Sequence, residues 1–530
     1  MTHPTVYDSI VVGAGFAGLY MLHKLRSLGH RSLVLEKGDG VGGTWYWNRY
    51  PGARCDVPSM EYSYQFDEQL QQEWNWSERY SPQPEILDYA NHVTDRFDLR
   101  KDIRFSAHVT AAAWDDVANT WHVTTEAGTD YTARYLIAAT GCLSSPNQPL
   151  FTGLDGFEGD IYHTGNWPHE SVNFSGRKVG IIGTGSSAIQ ATPLIARQAE
   201  QLTVFQRSAN YAVPARNAPL PTEERDRIKT NYAELRKQAA QTRNGQATPP
   251  NPQSALQVSE AERQRTYETR WQRGGLPFMG SFNDLIINTE SNASAADFVR
   301  AKIQRIVHDK QTAEQLSPTT PIGCKRLCVD TGYYATFNRD NVALVDLKKE
   351  PIEAVTQTGL LVGGKEMPFD ALIFATGYDA MTGSLLRMNI CGRDGKALVE
   401  SWKEGPQTYL GIACNTYPNL FTITGPGSPS VLTNMLPSIE QHVNLIGELL
   451  KYAQSKNATC IEADYQAQEN WVDHVNQIAS KTIYPGCNSW YLGANVPGKP
   501  RVFMPFIGFA DYVKICEKLV VDDFTGFIFT

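Results

Sequence analysis

Two glycine-rich turns, each set between an apolar run and a helical pattern, constrain this 530-residue chain more than any other feature. The first is Ile10-Val-Val-Gly-Ala-Gly-Phe-Ala-Gly18, followed by leucines at 19, 22 and 25. That order reads as strand, tight turn and helix. Gly13 permits the sharp turn, and Gly15 lets the backbone approach a pyrophosphate. Gly18 lets helix and strand pack closely, while the helix N-terminus faces the phosphate charge. A second strand, Ser32-Leu-Val-Leu-Glu36, ends in an acid 23 residues after Gly13, placed to accept hydrogen bonds from ribose hydroxyls.

The second turn lies in Lys178-Val-Gly-Ile-Ile-Gly-Thr-Gly-Ser-Ser-Ala188, where Gly183, Gly185 and Ala188 give G-x-G-x-x-A. Its second strand is Leu202-Thr-Val-Phe-Gln-Arg207, so the position 23 residues after Gly183 is Gln206, followed by Arg207. Losing the carboxylate and gaining a guanidinium reverses the preference at the ribose 2′ position: the first site repels a 2′-phosphate and the second attracts one. The first fold is therefore expected to hold FAD or NAD, and the second NADP(H). Gly183, Thr184, Gly185, Ser186, Ser187, Arg207 and Ser208 are the candidate contacts of the second nucleotide.

Each fold is closed by a returning apolar run with the same ending, Tyr135-Leu-Ile-Ala-Ala-Thr-Gly141 and Ala371-Leu-Ile-Phe-Ala-Thr-Gly377, which places crossings between the folds near 141–155 and 377–385. The expected fold class is α/β, with two Rossmann-like dinucleotide-binding domains and a helical insert. Residues 1–145 and 379–530 form the first domain, 146–212 and 322–378 the second, and 213–321 the insert. Within the insert, Thr222 to Arg243 reads as one charged amphipathic helix, 242–254 as a polar loop, and further helices start near Glu260 and Ala293. A flavin fold with a nicotinamide fold inserted in it implies hydride delivery to a flavin.

Composition narrows the choice. Hydrophobic residues at 42% and charged residues at 20% describe a globular chain, and a net charge of −8 disfavours broad binding to nucleic acid or anionic lipid. The apolar runs are strand-sized, short of the about 18 residues that span a membrane, and the first eight residues lack a basic signal region. A cytoplasmic monomer or weak oligomer is the expectation. Nine cysteines without a C-x-x-C suit reduced thiols, and no cluster has metal-site spacing. A disulfide reductase needs a paired cysteine motif beside the flavin, and the stretch after Glu36 holds only Cys55. A plain reductase or sensor needs nothing beyond the nucleotide sites, whereas a monooxygenase needs a protected pocket and a fixed positive charge.

Two further segments carry a resemblance. Gly42-Gly-Thr-Trp-Tyr-Trp-Asn-Arg-Tyr-Pro-Gly-Ala-Arg-Cys-Asp56 fits G-G-x-W-x-x-x-x-Y-P-G-x-x-x-D, and Phe157-Glu-Gly-Asp-Ile-Tyr-His-Thr-Gly-Asn-Trp-Pro168 fits F-x-G-x-x-x-H-x-x-x-W-P. Together they resemble the signatures of type I Baeyer–Villiger monooxygenases, nearest their phenylacetone- and steroid-oxidising members, with Trp167-Pro168 favouring the ketone-oxidising branch over N-oxygenating relatives. The resemblance runs nearly end to end. It implies bound FAD, NADPH as hydride donor, and O₂, with a C(4a)-peroxyflavin attacking a ketone to give an ester or lactone, and sulfoxidation as a side activity. It assigns Arg326, in Gly323-Cys-Lys-Arg-Leu-Cys328, as the catalytic arginine, Asp56 as its carboxylate partner, and Lys325 as a 2′-phosphate contact beside Arg207. Thr44, Trp45, Asp56, Tyr62, Val109, Arg326 and Met435 are expected among the cofactor contacts, and Val431, Leu432 and Met435 at the substrate pocket.

The loop 425–433 leads into an expected helix from Asn434 to Tyr452, whose positive end would lie beside the flavin ring. The glycine- and proline-bearing stretch 484–503 resembles a lid, with Trp490 closing over NADP to keep water out. His163 reads as a structural hydrogen-bonder at the domain linker. A flavin monooxygenase acting mainly on sulfur or nitrogen, and a non-oxygenating NADPH-dependent reductase, stay open as alternatives.

Overall fold

A computed structural model describes residues 6–530; residues 1–5, the start of the stretch read for a signal region, lie outside it. Strand β1 (Val6–Val12), helix α1 (Phe16–Ser27) and strand β2 (Ser32–Leu35) follow the first glycine-rich turn as its spacing predicts. β1 pairs in parallel with β2 and with the returning strand β3 (Asp130–Ala138), Val11 lying opposite both Val34 and Ile137. Such strands are covered on both faces, which is why they read as continuous apolar runs. Leu19, Met21, Leu22 and Leu25 of α1 are completely buried against them. The sheet reaches eight strands, with an antiparallel ribbon (Val109–Asp115 and Thr120–Thr125) continuing from β3 and the late strands Ile390–Cys391 and Leu420–Thr422 joining it.

The second turn builds the same unit from β4 (Lys178–Ile182), α2 (Ser186–Gln198) and β5 (Gln201–Gln206), with the returning strand β6 (Ala371–Phe374) beside β4. Its five strands are all parallel, ordered Val342–Asp346, β5, β4, β6, Asp160–His163. A three-stranded antiparallel sheet (Ile352–Val355, Gly359–Val362, Lys365–Pro368), not anticipated from sequence, packs Leu360 and Val362 against Phe205 and Phe374.

The insert is helical, with two corrections. The single helix expected over 222–243 is two, Thr222–Thr230 and Tyr232–Ala240, because Asn231 leaves helical geometry and donates its side-chain amide to the Arg227 carbonyl. The helix expected from Ala293 starts earlier, at Thr289, where Asn288 caps it by accepting from the Glu290 and Ser291 N–H groups. The late helix α3 (Met435–Ser455) matches expectation, with Asn434 as its N-cap. The expectation of reduced thiols is corrected at one pair: Cys324 and Cys487 are disulfide-bonded, and seven cysteines are free. The two stand 163 residues apart, so no local spacing announces the pair. Among the described residues there is no membrane-length apolar helix and no candidate metal cluster.

α3 is tied to the segment after the first signature by Glu440, whose Oε1 accepts the N–H groups of Gln65 and Phe66 at 2.7 and 2.9 Å. Its Oε2 has no partner among the described residues, and burial outweighs the two bonds to raise its pKa to about 7. The folded protein therefore keeps a proton that the unfolded chain releases above the ordinary value of 4.5, so this group's contribution to stability is lost as pH rises from there through 7. Glu440→Gln keeps an acceptor and removes the titration. Thermal unfolding should show the variant gaining about 1–3 kcal/mol on the native chain between pH 4.5 and pH 8; a difference constant across that range refutes it.

Candidate active site

The two turns nest against the two returning strands. Gly13 (φ +103°) and Gly183 (φ +121°) hold left-handed backbone, and a Cβ at either would sit 2.7 Å from the Ala139 carbonyl oxygen or 2.3 Å from that of Ala375. Those carbonyls belong to the duplicated Ala-Thr-Gly endings, which explains the repeat: it is the seat of each turn. At Gly18 a Cβ would meet the Gly13 carbonyl oxygen at 1.8 Å, so helix and strand touch backbone to backbone. α1 and α2 both start at a glycine, Gly15 and Gly185, with no side-chain cap and no acid in the first turn. Their first N–H groups are left for an anion, and the Gly42-Gly43 backbone closes on Gly15, so the cradle fits a dinucleotide pyrophosphate.

Glu36 is where the spacing places it, at the end of β2. Its carboxylate accepts the Ala14 N–H at 2.6 Å and the Gly38 N–H at 2.7 Å, fastening the turn, and each oxygen retains a further acceptor site. Burial raises its pKa, opposed by those two bonds. Val109 lies two residues beyond Ala107, whose N–H bonds the Glu36 carbonyl, so its strand starts beside the same acid. Trp45 donates its indole N–H to Tyr62 at 3.1 Å, and Thr44 is exposed at the start of the short helix Thr44–Trp47.

At the second turn, Thr184 donates to the Ser208 carbonyl and Lys325 Nζ to the Ser208 hydroxyl, both at 2.7 Å. Ser186 and Ser187 open α2 half-buried. Arg207 is exposed at the end of β5. Burial, then the nearby charges of Arg207 and Lys348, lower the Lys325 pKa. A lysine on the Ser208 hydroxyl with two further cations near enough to repel it suits a dianionic phosphate. Sequence reasoning missed Lys348; the strand before it pairs with β5, Asp346 opposite Gln206, and only that register brings it there.

Arg326 and Asp56 meet as expected. Arg326 donates Nε to Asp56 Oδ2 at 2.6 Å, Nη2 to Asp56 Oδ1 at 2.8 Å and Nη1 to the Val431 carbonyl at 2.7 Å. Burial works against the guanidinium charge, but Asp56 and its hydrogen bonds outweigh it and hold the pKa above the ordinary value. Two of the five guanidinium N–H groups remain for a ligand. Val431 is buried, while Leu432 and Met435 are half-exposed beside it at the start of α3. The arrangement is a fixed, permanently charged donor at the edge of an apolar surface.

The stretch 484–503 is irregular apart from single turns, Tyr484–Gly486 and Trp490–Leu492, and Trp490 packs against Tyr491 with centroids 4.3 Å apart and the rings tilted by 55°. It grips both crossings between the sheets. Asn495 donates to the Tyr378 carbonyl at 2.6 Å, its own carbonyl accepts from Asn147 at 3.4 Å, and Lys499 bonds Asp379 and the Ala380 carbonyl at 2.7 and 2.6 Å. His163 is structural, as read: Nδ1 accepts the Gly165 N–H, and Nε2 meets Thr376, which itself donates to the Asn147 carbonyl, so Nε2 carries the proton. The second signature also bonds the first, through Trp167 N–H to the Trp47 carbonyl at 3.2 Å.

Arg207→Ala and Lys348→Ala should each raise the KM for NADPH about 10- to 100-fold, the worth of one charge-assisted contact. The KM for NADH should scarcely change; equal effects on both would remove the residue from the 2′-phosphate site.

Comparison with known proteins agrees with this geometry. A family model described as pyridine nucleotide-disulphide oxidoreductase matches residues 10–265. Phenazine N-monooxygenase PhzNO1 of Lysobacter antibioticus is 41% identical, covering 99% of this chain and 97% of that protein. Cyclohexanone 1,2-monooxygenase of Acinetobacter sp is also 41% identical, covering 98% and 95%. The solved structure of an oxidized steroid monooxygenase bound to NADP superposes with a TM-score of 0.95 at 49% identity, covering 99% of each chain. On fold, signatures and full-length similarity, the chain belongs to the Baeyer–Villiger monooxygenase family.

Proposed function

We propose that this chain oxidises a ketone to an ester or lactone, consuming NADPH, a proton and O₂ and releasing NADP⁺ and water. The observation that carries this reading is the Arg326 guanidinium, held by Asp56 and the Val431 carbonyl with two N–H groups unpaired. Bound FAD supplies hydride acceptance and O₂ activation. The first turn and Glu36 hold it, with Thr44, Trp45, Tyr62, Val109 and Met435 around it. The second turn, with Arg207, Ser208, Lys325 and Lys348, holds NADPH. On this reading 1–145 and 379–530 are the flavin domain, 146–212 and 322–378 the NADP domain, and 484–503 the lid that brings Trp490 over the nucleotide.

The Arg326 charge would keep the attacking oxygen deprotonated and stabilise the negative charge that passes to the carbonyl oxygen as the carbonyl carbon is attacked. At an effective dielectric of ~20, a unit charge 4 Å away is worth about 4 kcal/mol, enough to govern the step. Arginine suits this because it stays protonated beside other positive groups. Val431, Leu432 and Met435 would receive the ketone's apolar substituents, so the substrates are aryl-aliphatic, cyclic or steroid-like ketones. The names of relatives that act on cyclohexanone and cyclopentanone support that class. A cytoplasmic location, supported by the seven free cysteines, and a monomeric or weakly associating protein belong to the same proposal.

Oxygen transfer to an aromatic nitrogen is the second reading, favoured by the similarity to a phenazine N-monooxygenase. A cation that keeps the transferred oxygen anionic favours attack on carbonyl carbon over attack by a nitrogen or sulfur lone pair, which ranks this reading below ketone oxidation.

Arg326→Ala should still be reduced by NADPH while its ester formation from ketones falls at least about 100-fold, the scale of losing a preorganised charge partner. Product analysis across aryl, cyclic and steroid ketones, a sulfide and phenazine measures this. Ester formation retained in the variant removes Arg326 from the step, and N-oxide as the sole product of the unmodified enzyme selects the second reading.

A further inference from the structure

Cys324 stands two residues before Arg326, and Cys487 three residues before Trp490. The disulfide joins them with Cα atoms 5.4 Å apart, inside the ordinary range of ~4.4–6.8 Å, so the two loops accept the bond where they lie. Both partners sit on irregular chain. Cys324 lies between the helix Lys310–Leu316 and the strand Cys328–Asp330, and Cys487 between the turns Tyr484–Gly486 and Trp490–Leu492. Parting the sulfurs therefore breaks no helix and no strand. The other seven cysteines are free, so this is one bond at the site and no part of a disulfide framework.

Its mechanical effect follows from chain length. An extended residue spans at most about 3.6 Å, so Trp490 lies within about 11 Å of Cys487 and Arg326 within about 7 Å of Cys324. The bond, with its Cα atoms 5.4 Å apart, therefore keeps Trp490 within about 24 Å of Arg326. Without the bond, the covalent path between the two loops is 163 residues long, and the stretch is held by the hydrogen bonds of Asn495 and Lys499 and by the packing of Tyr484, Tyr491, Leu492 and Phe503 in the core. Cys324 and Cys487 are 2% and 7% exposed, so a reagent reaches them when the stretch lifts.

We propose that Cys324 and Cys487 form a thiol–disulfide switch that latches the 484–503 lid to the loop carrying the catalytic arginine. The inference rests on the reading of that stretch as the lid over the nucleotide. The oxidant is a small-molecule disulfide. A thiolate of the pair attacks one of its sulfurs and releases one thiol. The second protein thiolate then attacks the mixed disulfide, forming the Cys324–Cys487 bond and releasing the second thiol. Two electrons pass from the protein sulfurs to the small disulfide, and the two protons leave on the released thiols. Latched, the lid stays down and NADP⁺ leaves slowly; as thiols, the lid lifts and turnover is faster.

The holoenzyme equilibrated with oxidised or reduced glutathione tests this. Alkylation of the denatured protein should mark seven cysteines in the oxidised form and nine in the reduced form. Tryptic cleavage after Arg501, and release of NADP⁺ into a trap, should each be at least about fivefold slower in the oxidised form, as expected when local opening is restrained. Cys324→Ser and Cys487→Ser, with unchanged FAD content, should behave as the reduced form in either buffer. Nine alkylated cysteines after oxidation, equal cleavage rates, or cleavage that responds while NADP⁺ release does not, each overturn the switch. Redox-dependent cleavage and NADP⁺ release in an enzyme that oxidises no ketone would leave the switch standing and remove the proposed function instead.

Discussion

The ion pair between Asp56 and Arg326 joins two parts of the chain that are 270 residues apart in sequence. Asp56 ends the signature that wraps the first glycine-rich turn, and Arg326 follows the helical insert of the second unit. Neither part contains the site; it exists only where they dock. The carboxylate takes two guanidinium N–H groups and the Val431 carbonyl a third, so a desolvated cation is compensated in a fixed orientation. The same bonds position the loop before α3, so the charged donor and the apolar wall beside it are set by one arrangement.

The duplicated Ala-Thr-Gly endings show how local sequence becomes architecture. Each places a carbonyl against the glycine that opens a turn, and each then runs directly into a crossing between the sheets. Nucleotide seats and inter-sheet connections are consecutive residues. His163, its pKa lowered by burial and both its ring nitrogens hydrogen-bonded, holds Thr376, which in turn donates to the Asn147 carbonyl of the other crossing.

Much of this was legible in the sequence because the informative signals were local. The turns, the acid at Glu36, the basic Arg207, the returning strands and the helix beginning near Asn434 all depend on neighbours within a few tens of residues. What was not legible depends on register or on long-range approach. Lys348 enters the cationic cluster only through parallel pairing with β5. The break at Asn231 interrupts a continuous amphipathic pattern because a side-chain amide competes for a helix carbonyl. The small antiparallel sheet over 352–368 is built from runs too short to read as strands. Cys324 and Cys487 carry no spacing signal, since their approach is a product of the whole fold.

The grip of residues 495–499 on both crossings bears on how the molecule moves. Asn495 and Lys499 bond residues 378–380, and the Asn495 carbonyl receives Asn147 from the other crossing. A hinge between the two nucleotide folds must bend through those two connections, so it is splinted whenever the strap is seated. Rotation of one fold against the other has to strain these bonds, which ties any such motion to release of the 495–499 segment.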